Sequence, residues 1–357
     1  MKTHLLLVLF LLSDKVAAQR MAAIATNPSF QDFFKTIQPV NSNIIEFDTL
    51  PTVSTTKKKI HYWRLNVDND FLIPAQRTDR YYTNGIFLEH FFVKNGFKNA
   101  FGKAIFPKID ATADNYYGVN LQTEMYTPDS IWLHQPNDRP YCGVATFGMT
   151  CISKQPKTGT TLTTEYRIGI LGPAAMQGEL QRKFHQLVHR PIPIGWNAQI
   201  GNSIAFNLHL KYEQHLNYFS DAMEVIGISD VNLGTLSTNA GVGFRVHAGA
   251  FQPTKQVGIA FLEGEMPKKL QSYVYFQPFV HFVMTNTTLQ GGISLKDIER
   301  KSYIQIDHLT RIVGEMVFAY HLNYGAWGFE YRFQQRTREW DTGKSVFFGS
   351  CSLQKSF

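Results

Sequence analysis

Between Thr160 and Leu171 the chain changes character at every second residue. Leu162, Thr164, Tyr166, Ile168 and Ile170 fall on one side, and Thr163, Glu165, Arg167 and Gly169 on the other. A period of two sends successive side chains to opposite faces of a strand, here one mainly apolar and one polar. The pattern recurs. Tyr62, Arg64, Asn66, Asp68 and Asp70 alternate with Trp63, Leu65, Val67 and Asn69, and Trp327, Phe329, Tyr331 and Phe333 oppose Gly328, Glu330 and Arg332. Followed along the chain, it predicts twelve strands, at 60–69, 80–92, 116–126, 141–151, 160–171, 200–211, 218–232, 235–249, 269–284, 302–320, 321–335 and 344–357.

Such a chain has two ways to cover its apolar faces. A soluble sandwich packs them together and leaves the charged faces in water. A transmembrane barrel turns them to lipid and keeps Glu, Arg, His, Asn and Gly in the lumen. Alternation alone does not choose. Residues 1–18 combine a basic start, an apolar run from Leu5 to Leu12 and the exit Val16, Ala17, Ala18, a secretory signal with cleavage expected after Ala18. That run is far shorter than the roughly 20 residues of a spanning helix. The predicted strands are long enough for a tilted membrane strand, and aromatics (28 Phe, 16 Tyr, 5 Trp) crowd near their ends as an interfacial girdle requires. An even strand count and a last strand ending on Phe357 agree. The expected fold is therefore all-β, a transmembrane antiparallel β-barrel of about 12 strands with a helix in an extracellular loop. The barrel occupies 58–357, behind a leading periplasmic segment at 19–57 with a short helix near Phe30–Ile37. Its place is the outer membrane of a Gram-negative bacterium.

Composition narrows the partners. The net charge of +7 falls by one when Lys2, Lys15 and Asp14 leave with the signal. A basic balance suits an anionic membrane or ligand, but the charges form no stripe and no nucleic-acid motif is present. Nucleic acid is not an expected partner, and a monomer is the expected state. Cys142, Cys151 and Cys351 are odd in number and have neither metal spacing nor a disulfide framework. A Cys142–Cys151 bridge and two packed thiols both remain open.

One stretch breaks the strand rhythm. Gly172 to Pro191 opens on Gly-Pro, continues through good helix formers from Glu179 to Leu187 and stops at Pro191, which predicts a helix over 174–190. Gln181, His185 and His189 share one face of it, while Leu180, Phe184, Leu187 and Val188 share another. With the N-terminus periplasmic, strand parity puts this helix outside the cell. The same rim then carries Asn69 and Asp70, the run Asp79 to Asn84, and Asn137, Asp138 and Arg139.

Short oxygen-bearing side chains suit calcium, with Asp70 and Asn69 as ligands and neutral oxygens from Thr83 and Asn84 nearby. No Cys/His/Glu cluster supports zinc. A histidine beside a calcium ion can take a proton from water while the ion stabilises charge on a carbonyl oxygen. No Gly-x-Ser-x-Gly stretch competes, and Ser203 and Ser237 sit in no nucleophile elbow. Plainer readings stand beside these. Asp70 after Asn69 also suits a turn. His185 is one of twelve histidines and could be a solvated helix residue, and His189 would be favoured at a helix C-terminus by the dipole. Tyr81 and Tyr82 fit a girdle, and Asp79 with Arg80 a weak local ion pair. Arg139, Arg182 and Arg190 are either solvated charges or holders of phosphates on an anionic lipid head group.

These blocks resemble the outer-membrane lipid A 3'-O-deacylase family, twelve-stranded barrels of Gram-negative bacteria. The matching residues are Asn69-Asp70, Asp79 through Gly85, Asp138-Arg139, Gly169 through Pro173, Gln181 through His185, Trp196 and Thr288 through Gly291, spread over residues 58–357. The resemblance implies a Ca2+-dependent hydrolase of lipid A or lipopolysaccharide, with its site between the barrel wall and the helix. It implies Asp70 as the calcium-site acid with Asn69 beside it, and Thr83 as a site hydroxyl. His185 becomes the base that activates water, and Gln181 its supporting polar neighbour. Two positions depart from the family pattern. Pro191 stands where a glutamate is expected six residues after the histidine, with Glu179 the nearest acid on the helix. Ile131, Trp132 and Leu133 stand where a lysine is expected. A related acyl-ester hydrolase on phospholipid or another glycolipid therefore stays open, as do a non-enzymatic pore or scaffold and a soluble secreted β protein.

Overall fold

The computed structural model describes residues 61–73, 79–94, 105–132, 138–220, 222–251, 270–292, 304 and 306–357. The expected signal at 1–18, the leading segment at 19–57, Leu133 and Asn137 lie outside them. Twelve strands follow in order: β1 Tyr62–Asn69, β2 Tyr81–Lys94, β3 Asp114–Thr127, β4 Cys142–Gln155, β5 Thr160–Leu171, β6 Ser203–Ser220, β7 Met223–Gly234, β8 Ser237–Ala250, β9 Gln271–Asn286, β10 Ile312–Tyr324, β11 Trp327–Arg336 and β12 Val346–Ser356. Each pairs antiparallel with its sequence neighbours, and β1 pairs with β12 from Tyr62–Ser356 to Asn69–Gly349. The sheet closes on itself, so no strand edge is left without a partner.

The two faces sort as the alternation requires. Leu121, Ile168, Ile204 and Val242 point outward and are 55, 57, 69 and 64% exposed, a belt that water would not tolerate and lipid does. The lumen is polar and paired. Arg64 meets Glu89 at 2.7 Å, Arg332 meets Glu330 at 3.3 Å, and Arg336 meets Glu315 at 2.9 Å. Asn120 and Gln122 both donate to Glu165, at 2.8 and 2.9 Å. A polar cavity of about 500 Å³ occupies the lumen toward the short turns at 156–159 and 325–326. Toward the other end lies a buried apolar cluster that includes Tyr81, Leu171, Leu289, Ile304, Leu309, Trp340 and Phe348.

Several expectations shift. The strand expected at 302–320 begins only at Ile312, because Ile304 and Leu309 are buried in that cluster instead of pairing along the wall. Strand β6 runs on to Ser220, because its ladder with β7 continues as far as the Ser220–Met223 pair. Tyr81 and Tyr82 do not form a lipid-facing girdle. Tyr81 packs edge-on against Trp340, and the Tyr82 hydroxyl donates to Asp68 Oδ2 at 2.9 Å inside the barrel. Cys142 and Cys151 are buried free thiols near opposite ends of β4 and form no bridge.

Candidate active site

The site begins where β1 ends. Asn69 remains extended and its Oδ1 accepts the N–H of Phe71 at 2.9 Å, capping a single 3₁₀ turn over Asp70–Leu72. That turn points the Asp70 carboxylate back into the wall, where it is 1% exposed. Its Oδ2 accepts the backbone N–H of Arg80 at 2.9 Å, with the N–H groups of Asp79 and Phe71 beside it. Burial, helped by the charge of Asp79 and opposed by these backbone donors, pushes the Asp70 carboxyl up to about 8.

The helix is shorter than its sequence suggested. Gly172 leaves β5 at φ 105°, a 3₁₀ turn covers Pro173–Ala175, and α1 spans Gln177–Leu187. Its polar stripe faces inward: Gln177, Gly178, Gln181 and His185 are buried. Gly178 makes close approach possible, since a Cβ there would lie 2.8 Å from the Trp196 ring. At the far end His189 takes φ 54°, donating its N–H to the Gln186 carbonyl at 3.3 Å, and Arg190 donates to the His185 carbonyl at 2.8 Å. This is a Schellman closure. It corrects the expectation that His189 shares a helical face with Gln181 and His185, because His189 has already left the helix and is exposed.

The closure returns the chain so that the Pro191 carbonyl lies 2.7 Å from His185 Nδ1. A carbonyl oxygen only accepts, so Nδ1 carries a proton, which in the neutral form of the ring leaves the lone pair at Nε2. That Nε2 faces Asp79 Oδ1 at 3.4 Å. The same Oδ1 accepts from Gln181 Nε2 at 2.7 Å, and Gln181 Oε1 in turn accepts the Trp196 indole N–H at 2.6 Å. The Asp79 carbonyl accepts the Thr127 hydroxyl at 2.9 Å, and Thr127 shares a 2.7 Å hydrogen bond with Thr83. Asp70, Thr83, Gln181 and His185 are thus gathered around Asp79. Asn69 differs, since its side-chain oxygen is occupied by the cap.

Asp79 is the residue that sequence reasoning misplaced. Its expected partner, Arg80, pairs instead with Asp129 at 2.7 Å. Asp79 sits at φ 61°, a conformation that aspartate tolerates better than most side chains, and this backbone turn aims it at the helix. Thr127 carried no signal beyond its place at a strand end. Arg139 is structural. It is 2% exposed, holds Glu339 at 2.6 Å and Thr288 at 2.7 Å, and stacks over the Tyr126 ring.

The donor chemistry suits a hard cation. Asp70 and Asp79 bring two neighbouring carboxylates, with the Thr83 hydroxyl and backbone carbonyls as further oxygens. Among the described residues no group of three or more His, Cys, Asp or Glu is arranged to hold a metal, so other ligands would be neutral oxygens and water.

Comparison with known proteins agrees with this architecture. The model of a family described as "Outer membrane protein LpxR" matches residues 41–357. LpxR from Salmonella typhimurium is similar in structure, with a TM-score of 0.63 at 20% identity over 82% of this chain and 99% of that one. The β domain of the Bordetella autotransporter BrkA matches with a TM-score of 0.45 at 11% identity, over 84% of this chain and 100% of that one. A search of curated protein sequences finds no match. With a closed twelve-stranded barrel and a family match over most of its length, the chain belongs to the LpxR family, outer-membrane hydrolases of the lipid A deacylase type in Gram-negative bacteria.

Proposed function

We propose that this rim hydrolyses the 3' ester-linked acyl chain of lipid A in a calcium-dependent reaction. The observation that carries the reading is the buried His185. Its Nδ1–H donates to the Pro191 carbonyl, and its Nε2 lies 3.4 Å from the Asp79 carboxylate. At 3.4 Å the Nε2–Asp79 contact is longer than a good hydrogen bond and leaves Nε2 open to a water. His185 takes a proton from that water as its oxygen attacks the ester carbonyl carbon. The Pro191 carbonyl and the Asp79 carboxylate stabilise the imidazolium that results. The proton then passes to the departing sugar oxygen as the ester C–O bond breaks, giving a free fatty acid and a 3' hydroxyl group.

Gln181 fixes Asp79 against the helix, and Asn69 contributes by capping the turn that presents Asp70. Calcium, held by Asp70 and Asp79 with the Thr83 hydroxyl nearby, would supply positive charge for the ester carbonyl oxygen. The Pro191 carbonyl also answers the missing family glutamate in part, since it can orient the histidine, although it adds no negative charge.

Mass spectrometry of lipid A from cells with and without the protein tests the reading. The 3' acyl chain should be lost, EDTA should stop the loss and calcium should restore it. An unchanged 3' chain alongside fatty acid release from phospholipid would favour the related esterase that Pro191 and the apolar Ile131 and Trp132 suggest.

A further inference from the structure

Helix α1 is inside out for a helix on a protein in water. Its buried face is polar, while Leu180, Phe184 and Leu187 project outward at 43, 53 and 77% exposure. At 100° per residue these three fall on one flank of the buried stripe. Glu179, Arg182 and Lys183 fall on the other, with Glu179 reaching Arg182 at 3.6 Å and Lys183 at 3.4 Å. The apolar flank does not stand alone. Trp132, Ile192 and Ile194 are exposed in neighbouring loop segments, joined where the Ile194 N–H donates to the Ile131 carbonyl. The strands that carry the helix loop add Ile168 on β5 and Ile204 and Phe206 on β6, also exposed. The lipid-facing belt of the barrel therefore runs up the wall toward the helix.

We propose that the outward flank of α1 lies in the acyl layer of the outer leaflet, anchoring the helix that walls the site, with Arg182 and Lys183 at the level of the lipid phosphates. An interfacial helix of this kind has one apolar and one basic flank and gains from both hydrocarbon burial and anionic head groups. The barrel belt already defines a lipid interface, and the apolar flank extends it. A second copy of this chain would also cover apolar side chains, but it would not account for a charged flank level with the membrane surface. The inference rests on the outer-membrane location and not on the hydrolytic mechanism.

Spin labels at two adjacent positions test it. Phe184→Cys and Lys183→Cys, each in a Cys351→Ala background with Cys142 and Cys151 buried, are labelled with a nitroxide and reconstituted in phosphatidylethanolamine–phosphatidylglycerol vesicles. The label at 184 should collide with dissolved oxygen several-fold more than with an aqueous nickel chelate, and the label at 183 should show the reverse. Equal access of nickel to both positions would overturn the proposal. So would spin–spin broadening at 184, which would put a second copy on the face. Neither outcome depends on whether the preparation hydrolyses any lipid.

Discussion

The lumen and the rim both bury carboxylates, and they treat them in opposite ways. In the lumen Glu89 has Arg64, Glu330 has Arg332 and His321, and Glu213 has Arg245 and Lys211, all within 3.3 Å. At the rim Asp70 is met by backbone N–H groups, and its neighbour is another carboxylate. Buried charges are normally paired because an uncompensated one costs several kcal/mol. The lumen follows that rule and gains rigidity from it. The rim meets the cost differently, since burial keeps a proton on Asp70 beside a histidine held by a backbone carbonyl, and titratable groups perturbed in this way mark candidate places for a ligand.

Substitutions can break this contrast. The largest effect belongs to His185→Ala, which should lower hydrolysis by about a thousandfold while circular dichroism in detergent shows an intact barrel. Asp79→Asn should cost on the order of a hundredfold and weaken calcium binding, measured by titration calorimetry. Unchanged calcium binding would make Asp79 a scaffold for Gln181 alone. Glu330→Gln acts on the other side of the comparison. By taking the carboxylate from His321 and leaving Arg332 to Asn66 and the more distant Asp68, it should cost about 1–3 kcal/mol of stability in urea unfolding, with activity per folded molecule preserved. Gly178→Ala forces a Cβ against Trp196 and should shift α1, lowering activity by roughly tenfold for about 1–3 kcal/mol of overpacking.

The smallest effect concerns pH. Calcium must displace the proton that burial keeps on Asp70, so affinity should rise with pH and level off above about 8. Stability without calcium should move the other way. The folded value of Asp70 lies above its ordinary 3.8, so the folded state holds a proton that the unfolded chain releases. That contribution is lost as pH climbs toward 8, which thermal unfolding in EDTA will record.

The wall of the barrel was legible because alternation is local. Each residue's face follows from its parity, and the same parity put α1 on the rim with Asp70 and Thr83. What could not be read depends on contacts far apart in the chain. Ile304 and Leu309 look like strand residues until Leu289, Trp340 and Phe348 arrive to bury them. His189 continues a helical stripe on paper, yet the chain adopts φ 54° there and turns back. Asp79 beside Arg80 resembles an ion pair, and only the fold brings Gln181, 102 residues later, to claim its carboxylate. The apolar flank of α1 was visible in sequence as Leu180, Phe184 and Leu187, but which face is buried is decided by what the helix lies on.

The central claim is that the rim carboxylates serve a reaction and the lumenal ones serve the fold. Fatty acid release from purified lipid A in the presence of calcium, compared between Asp70→Asn and Glu330→Gln protein at equal folded concentration, tests it directly. The account predicts that Asp70→Asn releases no 3' chain above background and that Glu330→Gln matches the unsubstituted protein. Equal release by both variants would contradict it.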